Sequence, residues 1–234
     1  MEVMILAGGL GTRLRSVVSD IPKCMAPVAG KPFLWYLLEY LRRFDVSAVI
    51  LSVGYLREAI ESWIAEHAQE YPFEFRFAVE TEPLGTGGAI KLAASQVRGS
   101  EVVIINGDTY FDVDLNALEA SRRSTGASIT IALKKMYDFD RYGSVDIAPD
   151  GTIVAFREKV HRSEGLINGG VSILDLSSDL LAGTPEKFSF EKEVMEPQCR
   201  LGKLYGLEQK GYFIDIGIPE DYARANANPD ELLA

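Results

Sequence analysis

Short, strongly apolar runs alternate with segments of helical period through the first half of this chain, and that alternation limits the folds open to it. Residues 3–7 (VMILA), 48–54 (AVILSVG) and 101–106 (EVVIIN) are continuously apolar over most of their length. A strand that faces water on one side alternates; a strand covered on both sides does not need to. Between these runs lie helical patterns. Lys31-Pro32 opens a helix whose apolar positions Phe33, Leu34, Leu37, Leu38, Leu41 and Phe44 fall on one face, with Pro32 suited to its first turn. Residues 56–67, 87–97 and 115–123 read as further helices, and 73–80 and 128–134 as further strands. Repeated βα units predict an α/β fold: a doubly wound, mostly parallel sheet with helices on both faces.

From Tyr142 onward the rhythm changes. Residues 144–147 and 152–157 flank Pro149-Asp150-Gly151 and read as a hairpin. Residues 171–176, 203–208 and 212–216 read as strands, and 190–199 and 219–226 as helices. With no linker, repeat or low-complexity tract, the expectation is a single domain over 1–234. Residues 1–135 would form its nucleotide-binding core, and 136–234 an elaborated second half.

The 234 residues carry a formal charge of −10, which argues against nucleic acid as a partner, because such binding runs on clustered Lys and Arg. A nucleotide remains open, since a few cations at one site suffice. Apolar runs fall well short of the roughly 20 residues of a membrane span, and the acidic start is unlike a signal peptide. Cys24 and Cys199 have no CxxC spacing and read as reduced thiols. A cytoplasmic protein with no membrane partner is expected.

Five features carry chemistry. The first strand breaks into Gly8-Gly9-Leu10-Gly11, followed by Thr12, Arg13 and Arg15. Backbone N–H groups freed of side chains can converge on an anion, and the arginines add charge. The third glycine of the dinucleotide fingerprint and the GK[ST] of a P-loop are both missing, so a plain tight turn also stays open. Lys23 lies between Pro22 and Pro27 in a stiffened segment, as either a solvated lysine or a phosphate partner. Asp108 ends an apolar strand, where ligands of open α/β sheets gather; it suits either Mg²⁺ or a helix N-cap. Asp215, flanked by Phe213, Ile214 and Ile216, needs a partner if buried, and a metal shared with Asp108 would supply one. Finally, Gly85, Gly87 and Gly88 follow Glu80 and Pro83 in a second glycine turn, which either admits a flat ring or is simply flexible.

Taken in order, LAGGLGTRLR, IPKCMAPVAGKPFL, EPLGTGGAI, NGDTYF, RYG, FREK, INGGV and FIDIGIPEDY resemble the sugar-1-phosphate nucleotidyltransferase family over nearly the whole chain. The resemblance implies a Rossmann-like, GT-A-like nucleotidyltransferase fold. It also implies a reaction in which an NTP and a sugar 1-phosphate give an NDP-sugar and pyrophosphate, for surface polysaccharide or glycoprotein precursors. By motif, Leu6, Ala7, Gly8, Gly9, Gly11, Thr12, Arg13, Lys23, Glu80, Pro83, Gly85, Thr86 and Asp108 would bind the nucleotide. Arg13, Lys23, Asp108 and Asp215 would be catalytic, with Asp108 and Asp215 holding Mg²⁺. Tyr142, Gly143, Glu158, Lys159 and Asn168 would bind the sugar phosphate. A homodimer is also among the family's habits.

Glu80 bears on the base. Guanine offers two donors, N1–H and the 2-amino group, and a carboxylate accepts both, whereas the mixed edges of thymine and uracil suit an amide better. GTP is therefore expected ahead of UTP, dTTP and CTP, unless Glu80 faces solvent and Glu82 or the backbone reads the base. The motif wording is most similar to the guanylyl-transferring branch, implying D-glycero-D-manno-heptose 1-phosphate first and mannose 1-phosphate second. A catalytically silent nucleotide-sugar sensor would have lost Arg13, Lys23 or the aspartates, and all are present. A dinucleotide oxidoreductase is disfavoured by the broken fingerprint.

Overall fold

The computed structural model describes residues 1–9 and 21–233. Gly11, Thr12, Arg13 and Arg15 lie outside the described residues. The first half is built as β1 (Glu2–Leu6), a small hairpin of β2 (Pro27–Val28) and β3 (Lys31–Pro32), α1 (Phe33–Leu41), β4 (Ala48–Val53), α2 (Arg57–His67), β5 (Glu74–Val79), α3 (Gly85–Ala94) and β6 (Glu101–Asn106). β7 (Thr109–Phe111), α4 (Leu115–Thr125) and β8 (Ile129–Phe139) follow. The second half adds β9 (Ser144–Ile147), β10 (Ile153–Phe156), β11 (Arg162–Asp175), α5 (Glu196–Arg200), β12 (Leu204–Gln209), β13 (Phe213–Asp215) and α6 (Pro219–Ala227).

Among the described residues nine strands share one sheet, in the order β10-β9-β11-β6-β1-β4-β5, with β8 pairing β11 and β12. Its parallel heart, β6-β1-β4-β5, is assembled from the apolar runs. Taking β1 as reference, the pairings leave only β10 and β11 reversed, so the sheet is mostly parallel. Successive side chains of each strand enter opposite faces. Val3, Ile5, Val49, Leu51, Val103 and Ile105 join α1, α2 and α4 in one core, with buried Leu34, Leu38, Ile60, Ile64, Leu115 and Leu118. Met4, Ile50, Val102 and Ile104 join the other, against Ile90 and Ala93 of α3 and Phe188, Phe190 and Val194. A fully buried aliphatic or aromatic side chain is worth roughly 1.5–3 kcal/mol, so both faces of the central strands stabilise the fold. No helix among the described residues is long and apolar enough to cross a membrane.

Three elements differ from the sequence-based expectation. β11 is 14 residues long rather than six, because its first part pairs β8 and β9 before the strand bends to reach β6. The bend falls at Gly169-Gly170, where the register with β8 shifts and Gly170 takes φ +75°. A Cβ on Gly169 would stand 2.3 Å from the Phe111 ring, so the bend requires glycine. β7 is three residues long, too short to carry a periodic signal. Residues 191–195 form one wide π-turn leading into α5, where Pro197 lacks the N–H of a regular ladder.

At the opposite end of the sheet from the strand carboxyl ends, Glu2 is buried. Its carboxylate accepts hydrogen bonds from Gly99 N at 2.6 Å, Arg76 Nη1 at 2.6 Å and Arg98 N at 2.8 Å. Burial alone would raise this carboxyl, but the donors outweigh it and hold its pKa below the ordinary value. A depressed folded pKa contributes stability above the unfolded value, and that stability is lost as pH falls through the folded one. Glu2→Gln should therefore lose about 1–3 kcal/mol at pH 7, with the gap from wild type narrowing below pH 4. Urea unfolding at both pH values checks this; a gap independent of pH would mean that the charge is not what matters.

Candidate active site

β1 and β6 are adjacent and parallel, with Leu6 beside Asn106, so the chain leaves both strands at the same edge of the sheet. In open α/β sheets that edge is where ligands bind. Here it forms a cleft of about 600 Å³, lined by Leu6, Ala7, Gly8, Gly9, Lys23, Cys24, Glu80, Pro83, Gly85, Thr86, Ala89, Asn106, Gly107, Asp108, Thr109 and Asp215.

Asp108 and Asp215 are far apart in sequence and are brought together by the β7–β13 ribbon. Thr109 pairs Asp215 in its register, and Ile216 N donates to the Asp108 carbonyl at 2.9 Å. Gly217 follows at once, and its N–H donates to Asp215 Oδ1 at 2.7 Å. The position a Cβ would take on Gly217 lies 2.7 Å from Asp215 Oδ1, 3.4 Å from Lys23 Nζ and 3.6 Å from Asp108 Oδ2. Three charged groups thus converge beside Gly217, and a side chain there would displace the Asp215 carboxylate.

Lys23 comes from a single 3₁₀ turn, Lys23–Met25, started by Pro22 at φ −59° and pinned by the buried Cys24. Its ammonium donates to Asp108 Oδ2 at 2.8 Å, with both side chains partly buried. Burial, reinforced by the Asp108 charge, pushes the Cys24 thiol up to about 12. Cys24 is therefore a packed thiol and no nucleophile.

Two carboxylates beside one space suit a hard cation. Among the described residues no group of three or more His, Cys, Asp or Glu stands ready to hold a metal. Mg²⁺ needs only one or two carboxylates and completes its shell with water and phosphate oxygens, so the donor set fits it.

Glu80 stands at the other end of the cleft. Its N–H extends the β4–β5 ladder to the Val53 carbonyl at 2.8 Å. Its Oε2 accepts from Leu84 N at 3.1 Å, and Oε1 accepts from Ser52 Oγ at 3.4 Å. A Cβ on Gly8 would fall within contact of Glu80 Oε1, so a side chain here would displace the Glu80 carboxylate. Glu82 is exposed and does not line the cleft.

The glycines of the second turn serve a different purpose from the one their spacing suggests. Cβ atoms on Gly85, Gly87 and Gly88 would strike the Phe188 carbonyl, the Phe188 ring and the Glu186 carbonyl, at 2.6, 2.2 and 2.1 Å. They seat residues 186–191 against α3 rather than opening space for a ring. Gly87 N donates to the Phe188 carbonyl and Phe188 N to the Leu84 carbonyl, both at 3.0 Å. Thr86 Oγ1 accepts from Phe190 N at 2.9 Å and donates to Glu191 Oε2 at 2.7 Å. Gly85 and Thr86 line the cleft nonetheless.

The residues expected on the sugar side are placed less uniformly. Tyr142 packs edge-to-face on Phe213, two residues before Asp215, with ring centroids 5.9 Å apart. Burial and then the Asp215 charge push its phenol up to about 12. Gly143 lies against the Arg157 carbonyl, 2.7 Å from where a Cβ would be. Asn168 precedes the β11 bend and accepts from Gly170 N at 2.9 Å, while Gly170 abuts the Asn106 amide in the cleft. Glu158 and Lys159 are exposed after β10 and do not line the cleft. Asn106, Gly107, Thr109 and Gly217 belong to the cleft or its floor without having been singled out as site residues; only their place in the NGD and DIG motifs pointed to them.

A family model described as Nucleotidyl transferase matches residues 2–231. The chain belongs to the nucleotidyl transferase family. It is similar to the D-glycero-alpha-D-manno-heptose 1-phosphate guanylyltransferase of Aneurinibacillus thermoaerophilus, at 48% identity with 96% of each chain covered. The protein of the same name from Campylobacter jejuni is 44% identical, with 95% of this chain and 97% of that one covered. Among solved structures, HddC from Yersinia pseudotuberculosis complexed with GMP-PN superposes with a TM-score of 0.85 at 40% identity, covering 97% of this chain and 98% of that one. This nucleotidyltransferase thus matches all three over nearly its full length and shares its fold with HddC.

Gly87→Ala tests the role assigned to the second turn. With Phe188 fixed by backbone hydrogen bonds on both sides, the added methyl cannot be relieved cheaply and should cost about 1–3 kcal/mol in urea unfolding. A neutral substitution would show that residues 186–191 are not seated there.

Proposed function

We propose that this nucleotidyltransferase joins GTP to D-glycero-α-D-manno-heptose 1-phosphate, yielding GDP-heptose and pyrophosphate. The observation that carries the reading is one cleft with Glu80 at one end and Lys23, Asp108 and Asp215 at the other. Its chain is near full-length kin to proteins named for this transfer. The cleft floor is built for a nucleotide that spans it, with the base beside Glu80 and the phosphates over Gly8, Gly9 and Lys23. The Glu80 carboxylate, steadied by Leu84 N and Ser52 Oγ, would accept the N1–H and 2-amino donors of guanine.

In the reaction a sugar-phosphate oxygen attacks the α-phosphorus. The new P–O bond forms as the bond to the bridging α–β oxygen breaks, and pyrophosphate leaves. The nucleophile is already an anion, so no general base is needed. The demand is to bring polyanions together and to stabilise the charge that develops on transfer. Lys23 is the described cation best placed for it, at the phosphate end of the cleft. Arg13, with Gly11 and Thr12, is assigned to the triphosphate. Asp108 and Asp215 would hold Mg²⁺, which neutralises phosphate charge when bound. Tyr142, Gly143, Glu158, Lys159 and Asn168 are assigned to the sugar 1-phosphate. We place the reaction in the cytoplasm and assign the working unit as a homodimer, by the family's habit.

Pyrophosphate release with Mg²⁺, each NTP and a panel of sugar 1-phosphates tests this directly. GTP with the heptose 1-phosphate should be the best pair; release confined to UTP or dTTP, or none with any pair, overturns the reading. Lys23→Ala should lower kcat by at least about 100-fold with Tm changed by only a few degrees. Near-normal kcat in the folded variant would remove Lys23 from the chemistry. Glu80→Gln should lower kcat/KM for GTP roughly 10- to 100-fold, and less for UTP, since it exchanges a charged acceptor for an amide. Equal loss with both nucleotides would show that Glu80 does not read the base.

A further inference from the structure

Asp221 is a carboxylate only 4% exposed, on the first turn of α6, six residues beyond Asp215. Buried carboxylates persist where cations pair with them. Here Arg141 Nη2 donates to Asp221 Oδ2 at 2.6 Å, and Arg224 Nη2 lies 3.1 Å from Oδ1. The Arg224 contact is local to the helix. The Arg141 contact is not, since it reaches 80 residues back to the irregular bend at 140–143 between β8 and β9. That bend has no ladder of its own to fix it, and it carries Tyr142. The Arg141 guanidinium carbon lies 5.7 Å from the centroid of the Tyr142 ring, while the same ring packs on Phe213 of β13. Tyr142 is thus held from two directions, by a cation anchored on α6 and by the strand that delivers Asp215.

We infer that Asp221 is a positioning residue for the sugar 1-phosphate: through Arg141 it fixes the Tyr142 bend beside the transfer centre, leaving the nucleotide end of the cleft untouched. The inference rests on the guanylyl-transfer reading above. The physical reason is that an irregular bend has many accessible conformations. The Arg141–Asp221 pair is made only in one of them; elsewhere the buried carboxylate loses its 2.6 Å partner and leans on the helix-local, half-exposed Arg224. Glu80 and Lys23 are fixed by other elements, the β5 end and the 3₁₀ turn, so loosening the bend does not reach them.

Steady-state pyrophosphate release with GTP and D-glycero-α-D-manno-heptose 1-phosphate tests this in wild type, Asp221→Asn, Arg141→Gln and the double variant. Each single substitution should raise KM for the sugar 1-phosphate about 10-fold or more, with KM for GTP within about twofold of wild type. The double variant should be no worse than the worse single one, because both act through one pair. Equal rises in both KM values, an unchanged sugar KM, a loss confined to kcat, or effects that multiply in the double variant overturn the inference. Where Asp221→Asn fails to fold, Arg141→Gln decides alone, since that side chain is 45% exposed; an unchanged sugar KM in it overturns the inference. A wild-type protein silent with every pair overturns the proposed function and this inference with it. A working wild type with unaltered variants overturns only the inference.

Discussion

Two like charges must be held side by side at the end of a central strand, and the short ribbon of β7 and β13 is what holds them. Asp108 leaves β6 after Gly107, and Asp215 arrives from the far end of the chain; the β7–β13 register, ending in Thr109–Asp215 and the Ile216–Asp108 hydrogen bond, makes them neighbours. Left alone, neighbouring carboxylates repel and desolvate at a cost. Lys23, ion-paired to Asp108 at 2.8 Å, and the Gly217 N–H on Asp215 offset part of it. Two such carboxylates are ordinary donors for a divalent cation, and the acidic end of the cleft follows from that convergence.

Around it, the glycines divide by function. Gly8 lets the Glu80 carboxylate lie across the end of β1, and Gly217 lets three charged side chains share one space. Gly169 lets β11 pass the Phe111 ring and turn from β9 to β6. Those of α3 are packing residues, giving up side chains so that residues 186–191 can sit directly on the helix start. One residue type therefore serves anion approach, sheet curvature and helix–segment contact, and sequence spacing does not separate these uses.

The second half of the chain is tied into the first by charge as well as by strands. β11 joins the parallel heart through β6, while Arg122 of α4 pairs with Asp175 at the end of β11 at 3.1 Å. The Glu80 end of the cleft is made almost wholly by the first half, around β1, β4, β5 and α3, and the Asp215 end where β13 of the second half meets β7.

Much was legible without coordinates. The apolar runs at 3–7, 48–54 and 101–106 determined buried parallel strands, since nothing else accommodates such runs in a chain with helical segments between them. The ordered motifs determined the family, and with it the residues to look for. What the sequence could not carry were facts of distance. A three-residue strand such as β7 has too few side chains to show a period. β11 keeps strand conformation through a Gly-Gly pair that reads locally as a turn, because its neighbours on both sides supply the hydrogen bonds. The glycines of the second turn looked like room for a ring and proved to be the seat of Phe188, because a missing side chain does not say what fills its place. The alternation of apolar runs is a property of the chain and determined the parallel heart of the sheet by itself. The meeting of Lys23, Asp108 and Asp215, and the reach of Asp221 to Arg141, are properties of the folded chain, since residues separated by 80 or more positions acquire a common field only once the sheet has closed between them.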